Sequence, residues 1–446
     1  MYSNELDKLF KRNKILVGDK VEINTQKGKF EGVLMPKPEF SSSDIIIIKM
    51  DNGYNVGVKV DKNFEIKKIR ERSKEEKQQK AKLLPRNKSE DLPDVELIYT
   101  GGTIGSKVDY ESGGVYMLTK PEDLLGEIPE LENIANIEVN NLMSIASEDM
   151  TYKEWQKIAR AAADALNKGK RVVITHGTDT MHYTSTALSF MLNGLNAPVV
   201  ITGSQRSSDR GSSDAFMNLI CSMHAAAKGK MAEVAICMHE NSSDIYCSLI
   251  RGTKTRKMHT SRRDAFKPIN NKPIGRVSYN TGEIEYLSKY NEVKNEKSEL
   301  KLITGFEPKV ALVKAYPNSD PEILDYYISK GYKGIIIEGT GLGHTPVSTA
   351  NKEYSWLENV KKAVDGGAII GMTSQCLYGR VNENVYRNLR LLRNAGIIYC
   401  EDMLPEVAYV KLGFLLGNYK KEEAEKLLNK NIAGEITIKS EVDWFV

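Results

Sequence analysis

From Val95 onward the chain repeats one alternation that leaves few folds open: short, continuously apolar runs separated by segments of helical period. The apolar runs lie at 96–99, 171–175, 198–202 and 233–238, and the helical segments at 152–167, 181–192 and 214–227. Runs without polar alternation are buried on both faces, the state of parallel strands covered by crossover helices. Asp149 or Thr151 is placed to cap the helix at 152–167. Ligands of such sheets bind beyond the C-terminal ends of the strands, so the residues following each run are where chemistry is expected.

Two further blocks flank this one. Residues 17–69 carry short β-like runs at 18–24, 32–34 and 44–49, with turn signals at Lys27-Gly28 and Asn52-Gly53. That spacing predicts a small all-β barrel. Residues 71–94 are charged, lack an apolar face and end among Pro85 and Pro93, as a linker does. After a hairpin near Asn280-Thr-Gly282 and a charged crossing segment at 288–308, a second alternation runs from 309 to 446. The expected architecture is therefore α/β in two domains, the larger (95–287) with a parallel or mixed sheet and the smaller C-terminal, preceded by a β-barrel at 1–70.

A chain of 446 residues exceeds one ordinary core, in keeping with several domains. No apolar run approaches the ~20 residues of a membrane span, and residues 1–8 lack the core of a signal peptide. Five scattered cysteines without a C-x-x-C pair argue for a reduced cytoplasm, and the six histidines form no metal-ligand spacing, so no metal is expected. Through Asp94 there are 21 Lys and Arg against 16 Asp and Glu, a local balance of +5 within a total of +4. A solvated lysine-rich surface accounts for so mild an excess.

Two strand ends stand out. Thr100 is followed by Gly101, Gly102 and Thr103, and Thr175 by His176, Gly177, Thr178 and Asp179. Paired glycines let the chain turn sharply and a ligand approach closely. Either threonine alone reads as a helix cap; two at one sheet edge favour a reacting centre. There is no G-x-x-x-x-G-K-[ST] phosphate loop and no G-x-S-x-G elbow. A hydroxyl nucleophile needs a proton acceptor. His176 and His182 lack an orienting partner in sequence, and Lys254, among the cations Arg251, Arg256 and Lys257, is the better candidate base, although a lysine in so basic a loop reads by itself as a solvated or anion-binding side chain. The backbone N–H groups near Gly102–Thr103 and Gly177–Thr178 are candidate oxyanion donors.

The motifs Thr100-Gly-Gly-Thr-Ile104, Ala146-Ser-Glu-Asp-Met150, Thr175-His-Gly-Thr-Asp-Thr-Met181 and Thr253-Lys254, in this order, resemble the bacterial-type L-asparaginase family. Gly203-Ser-Gln-Arg206 with Asp214 and Asn218, and Gly339-Thr-Gly-Leu-Gly343, add to the likeness. The resemblance implies Thr103 as primary nucleophile and Tyr116 as the mobile-loop tyrosine that activates it. It implies Thr178, Asp179 and Lys254 as a second catalytic set, with Ser147 and Asp179 holding the substrate's α-carboxylate and α-amino groups. Glu148 replaces the glutamine of many free asparaginases and adds negative charge beside the amino group.

The added front segment, with Gly32-Val-Leu-Met-Pro36 and Asp51-Asn-Gly-Tyr-Asn55, makes the whole chain similar to the D subunits of archaeal glutamyl-tRNA(Gln) amidotransferases. That resemblance implies release of ammonia from glutamine or asparagine by a homodimer within a heterotetramer. A separate GatE-type subunit would use ATP and Mg to activate Glu-tRNA(Gln), so no cofactor is expected on this chain. An autonomous asparaginase with an accessory domain is the alternative.

Overall fold

The computed structural model describes residues 4–26, 28–35, 44–50, 55–60, 64–70, 88–108, 115–117, 125, 128–208, 212–294 and 300–440. Most of the predicted linker at 71–94 lies outside them.

The first unit is a helix, α1 (Asn4–Arg12), and a five-stranded antiparallel sheet of order β4-β3-β2-β1-β5. Its strands are β1 (Lys20–Thr25), β2 (Gly28–Leu34), β3 (Ile45–Lys49), β4 (Asn55–Lys59) and β5 (Glu65–Arg70). Val21, Ile23, Ile46 and Ile48 alternate inward at period two, and Leu6 and Phe10 of α1 close the core four residues apart on one helix face. The runs read at 18–24, 32–34 and 44–49 fall on β1, the end of β2 and β3; β4, β5 and the helix ahead of the sheet are additions.

The central unit holds an eight-stranded mixed sheet. In chain order its strands are β6 (Asp94–Tyr99), β7 (Asn136–Asn141), β8 (Arg171–Thr175), β9 (Val199–Thr202), β10 (Val234–His239), β11 (Tyr246–Arg251), β12 (Gly275–Ser278) and β13 (Ile284–Tyr286). The spatial order is β13-β12-β11-β10-β9-β8-β6-β7, parallel from β7 to β10 and antiparallel thereafter. Three helices cover it: α2 (Tyr152–Asn167), α3 (Met181–Met191) and α4 (Ala215–Lys228). Thr151 rather than Asp149 caps α2, in a reciprocal box with Glu154, the Thr151 amide donating to Glu154 Oε2 at 3.0 Å.

The third unit is a four-stranded parallel sheet, β14 (Val310–Lys314), β15 (Gly334–Gly339), β16 (Ile369–Ser374) and β17 (Ile398–Tyr399), in that order. Its helices are α5 (Glu322–Ser329), α6 (Leu357–Asp365), α7 (Arg387–Asn394), α8 (Pro405–Asn418) and α9 (Lys421–Leu428). Helices α3 and α8 bury residues on every side because they lie back to back between the two sheets. Phe190 stacks on Phe414 with centroids 5.6 Å apart, and one apolar cluster runs from the central sheet through both helices into the third unit. The two α/β units are thus welded along α3 and α8, and that seam positions the site.

Candidate active site

The last residues of neighbouring parallel strands lock to one another at the sheet's C-terminal edge. Thr100 Oγ donates to the Thr175 carbonyl at 2.7 Å, the His176 amide donates to the Thr202 carbonyl at 2.8 Å, and Thr202 Oγ donates to the Cys237 carbonyl at 2.9 Å. Beyond this line the chains from β6 and β8 touch through glycines. Gly102 has φ +86°, and a Cβ there would lie 2.5 Å from the Gly177 nitrogen. A Cβ on Gly177 would lie 2.7 Å from Cβ of Ser147 and 2.8 Å from its hydroxyl. Only hydrogen fits at either contact, so Thr103, Thr178 and Ser147 each flank one close-packed point. Glu148, beside buried Ser147, is exposed.

Thr103 opens a short turn, Thr103–Gly105. Tyr116 belongs to a strand, Val115–Met117, whose backbone pairs with Lys107; its side chain lies outside the described residues.

The capping reading of Thr178 and Thr180 is settled by where their hydroxyls go. Thr180 stands at the N-terminus of α3 but donates to the Ser147 carbonyl at 2.6 Å, and neither makes a cap bond. Thr178 Oγ instead accepts from Lys257 Nζ at 2.9 Å, and the same ammonium donates to Asp179 Oδ1 at 2.7 Å. The Lys257 side chain is 10% exposed and that of Asp179 66%, so the lysine is enclosed and the carboxylate is open to solvent. Gln205 Oε1 lies 3.5 Å from Thr178 Oγ, on a turn whose Gln205 and Arg206 amides donate to the Asp214 carboxylate.

The lysine at Thr178 is therefore Lys257, and the assignment of Lys254 as the base is corrected. Lys254 Nζ donates to Asp402 Oδ2 at 2.8 Å, and both side chains are within 1% of complete burial. Burial pushes the Lys254 ammonium below its usual range, against the pull of Asp402. Two lysines three residues apart diverge because the segment is pinned before it reaches the site. Ser185 and Thr186 of α3 donate to the Gly252 carbonyl at 2.9 and 3.2 Å. A two-stranded ribbon, Thr255–Lys257 with Phe266–Pro268, then carries Lys257 to the sheet edge. In sequence Lys257 is only one more nearby cation, and no local signal favours it over Lys254.

His176 and His182 serve structure. His176 is fully buried, its Nδ1 donating to the Gly177 carbonyl at 2.6 Å and its Nε2 accepting from Thr184 at 2.8 Å. Burial lowers its pKa to about 4, and burial with the nearby Arg256 and Lys257 lowers that of His182 to about 3. Both rings stay neutral in the fold while the unfolded chain takes up protons below about 6.5. The stability held by each is therefore complete above the unfolded pKa and is lost as pH falls from there towards the folded pKa. At about pH 5 the loss should be about 2 kcal/mol per histidine. Thermal melts at about pH 7 and 5 test this, and a His182→Phe variant should show a smaller pH dependence.

Residues 94–291 match the family "Asparaginase, N-terminal", residues 309–428 the "Glutaminase/Asparaginase C-terminal domain", and residues 15–69 the "GatD N-terminal domain". The glutamyl-tRNA(Gln) amidotransferase D subunit of Pyrococcus furiosus is 49% identical over 97% of this chain and 97% of its own length. The chain belongs to the D-subunit family of glutamyl-tRNA(Gln) amidotransferases. The D subunit of Archaeoglobus fulgidus is 47% identical, over 94% of this chain and 95% of that relative. Among solved structures, the thermostable L-asparaginase of Thermococcus kodakarensis superposes with a TM-score of 0.68 at 32% identity. It covers 78% of this chain and all of its own. L-asparaginase I of Vibrio cholerae gives 0.67 at 30% over the same shares. The chain thus carries a whole asparaginase-type unit plus a front domain that lies outside the two asparaginase matches. No described helix is long and apolar enough to cross a membrane.

Proposed function

We propose that this chain hydrolyses the side-chain amide of glutamine or asparagine and supplies the ammonia to a partner that amidates Glu-tRNA(Gln). The observation that carries this reading is Lys257 bridging Thr178 and Asp179 beside the Gly102–Gly177 contact that brings Thr103 to the same edge. Thr103 attacks the carboxamide carbon, helped by Tyr116. The tetrahedral oxyanion is held by backbone N–H groups near Gly102 and Gly177. Collapse breaks the C–N bond, the nitrogen leaves as ammonia with the proton lost by the hydroxyl, and water then hydrolyses the acyl ester. Lys257 relays protons between Thr178 and Asp179, while Ser147 and Asp179 hold the α-carboxylate and α-ammonium. Glu148 biases the amide chosen.

The partner is a GatE-type subunit that uses ATP and Mg, and the assembly is a heterotetramer around a homodimer of this chain. This chain itself needs no cofactor and works in the cytoplasm. Ammonia release is measured from each amide with and without the partner and Glu-tRNA(Gln). Low release alone, raised at least tenfold by both, is the expected result. Full release from asparagine by the isolated chain, unaffected by either, would make it an autonomous asparaginase.

A further inference from the structure

We propose that Glu406 is a positioning residue for the amide reaction, holding Lys257 and Asp179 in register from the third unit. The inference rests on the catalytic reading just given. Glu406 lies in the first turn of α8, and its side chain is 4% exposed. Its Oε2 accepts from Arg256 Nη1 at 3.0 Å, and Arg256 immediately precedes Lys257. Its Oε1 stands 3.8 Å from Nε2 of His182, three residues after Asp179. One carboxylate therefore abuts the chain neighbours of both members of the Lys257–Asp179 pair.

Packing alone gives no reason for this choice. Apolar replacement of a buried ion pair is often neutral or stabilising. Neither Glu406 Oε1 nor His182 Nδ1 has a hydrogen-bond partner among the described residues, so the arrangement carries a further cost. What an ion pair supplies is direction. The ribbon bearing Lys257 pairs over only three residues on each side, so its ladder alone fixes little. Glu406 fixes it next to the reacting end, as Lys254 with Asp402 does at the start. A misplacement of about 1 Å in a reacting group can cost on the order of 100-fold in rate.

The test compares full-length Glu406→Gln, the double variant Arg256→Met with Glu406→Met, and Lys257→Met. Each is assayed for ammonia release with kcat and KM separated, the partner and Glu-tRNA(Gln) present, and melted in parallel. Expected for Glu406→Gln is a kcat at least about tenfold lower with KM within about threefold. The double variant should melt at or above wild type yet keep the low kcat, because its packing is restored and its direction is not. A double variant with wild-type kcat, or a Glu406→Gln change confined to melting, overturns the proposal. If Lys257→Met keeps wild-type release, the catalytic reading itself falls. If Lys257→Met is inactive while Glu406→Gln keeps its kcat, only the positioning role falls.

Discussion

Lys257→Met should lower ammonia release by roughly a thousandfold, within the range that a positioned proton-transfer group contributes. The ammonium is the group shared by Thr178 Oγ at 2.9 Å and Asp179 Oδ1 at 2.7 Å, and methionine keeps most of the stem's volume while removing every N–H. Because Asp179 is largely exposed, losing its partner strands no buried charge, and the fold should survive with an unchanged circular dichroism spectrum. The measurement is kcat at saturating amide, with the partner and charged tRNA present. A rate within tenfold of wild type would remove Lys257 from the chemistry.

Lys254→Met should have the opposite profile, a loss of stability before any loss of chemistry. Its ammonium is sealed against Asp402, and removing it leaves a buried carboxylate whose other contacts are the Thr437 amide and hydroxyl. Breaking one side of such a pair costs about 3–5 kcal/mol. In a unit of this size that corresponds to a fall in melting temperature on the order of 10 °C. Asp402→Asn added to Lys254→Met should recover much of the loss, since the amide oxygen still accepts from Thr437 without carrying charge. Calorimetry of the two variants decides it, and an unaltered melt for Lys254→Met would show the pair to be dispensable.

These contrasting lysines show where reading the chain as text runs out. Both stand in Arg251–Lys257 among basic residues, and nothing local ranks them. The difference is made by Asp402, 148 residues away from Lys254, and by Gly252 tied to Ser185 and Thr186 of α3. Thr184, Ser185 and Thr186 of α3 are a related case. In sequence they interrupt an apolar helix; in the fold they hold His176 and Gly252. Thr178 reads equally well as a cap until its hydroxyl is seen to meet Lys257 rather than the helix terminus. Helix α1 is legible in principle, since Leu6 and Phe10 are four apart, but nine residues are a weak periodic signal.

Sequence by itself determined the alternation of buried strands and crossover helices, the glycines at two strand ends and the hydroxyls beside them. Those follow from local physics: apolar periodicity, backbone freedom at Gly102 and Gly177, and the chemistry of the side chains present. Tertiary structure alone decided which lysine faces Thr178, that the histidines are structural, and that Glu406 from the third unit stands behind the site. Each of these depends on packing between residues far apart in the chain, where burial between α3 and α8 and the ion pairs of Lys254 with Asp402 and Arg256 with Glu406 select one arrangement from several that local preference leaves equal.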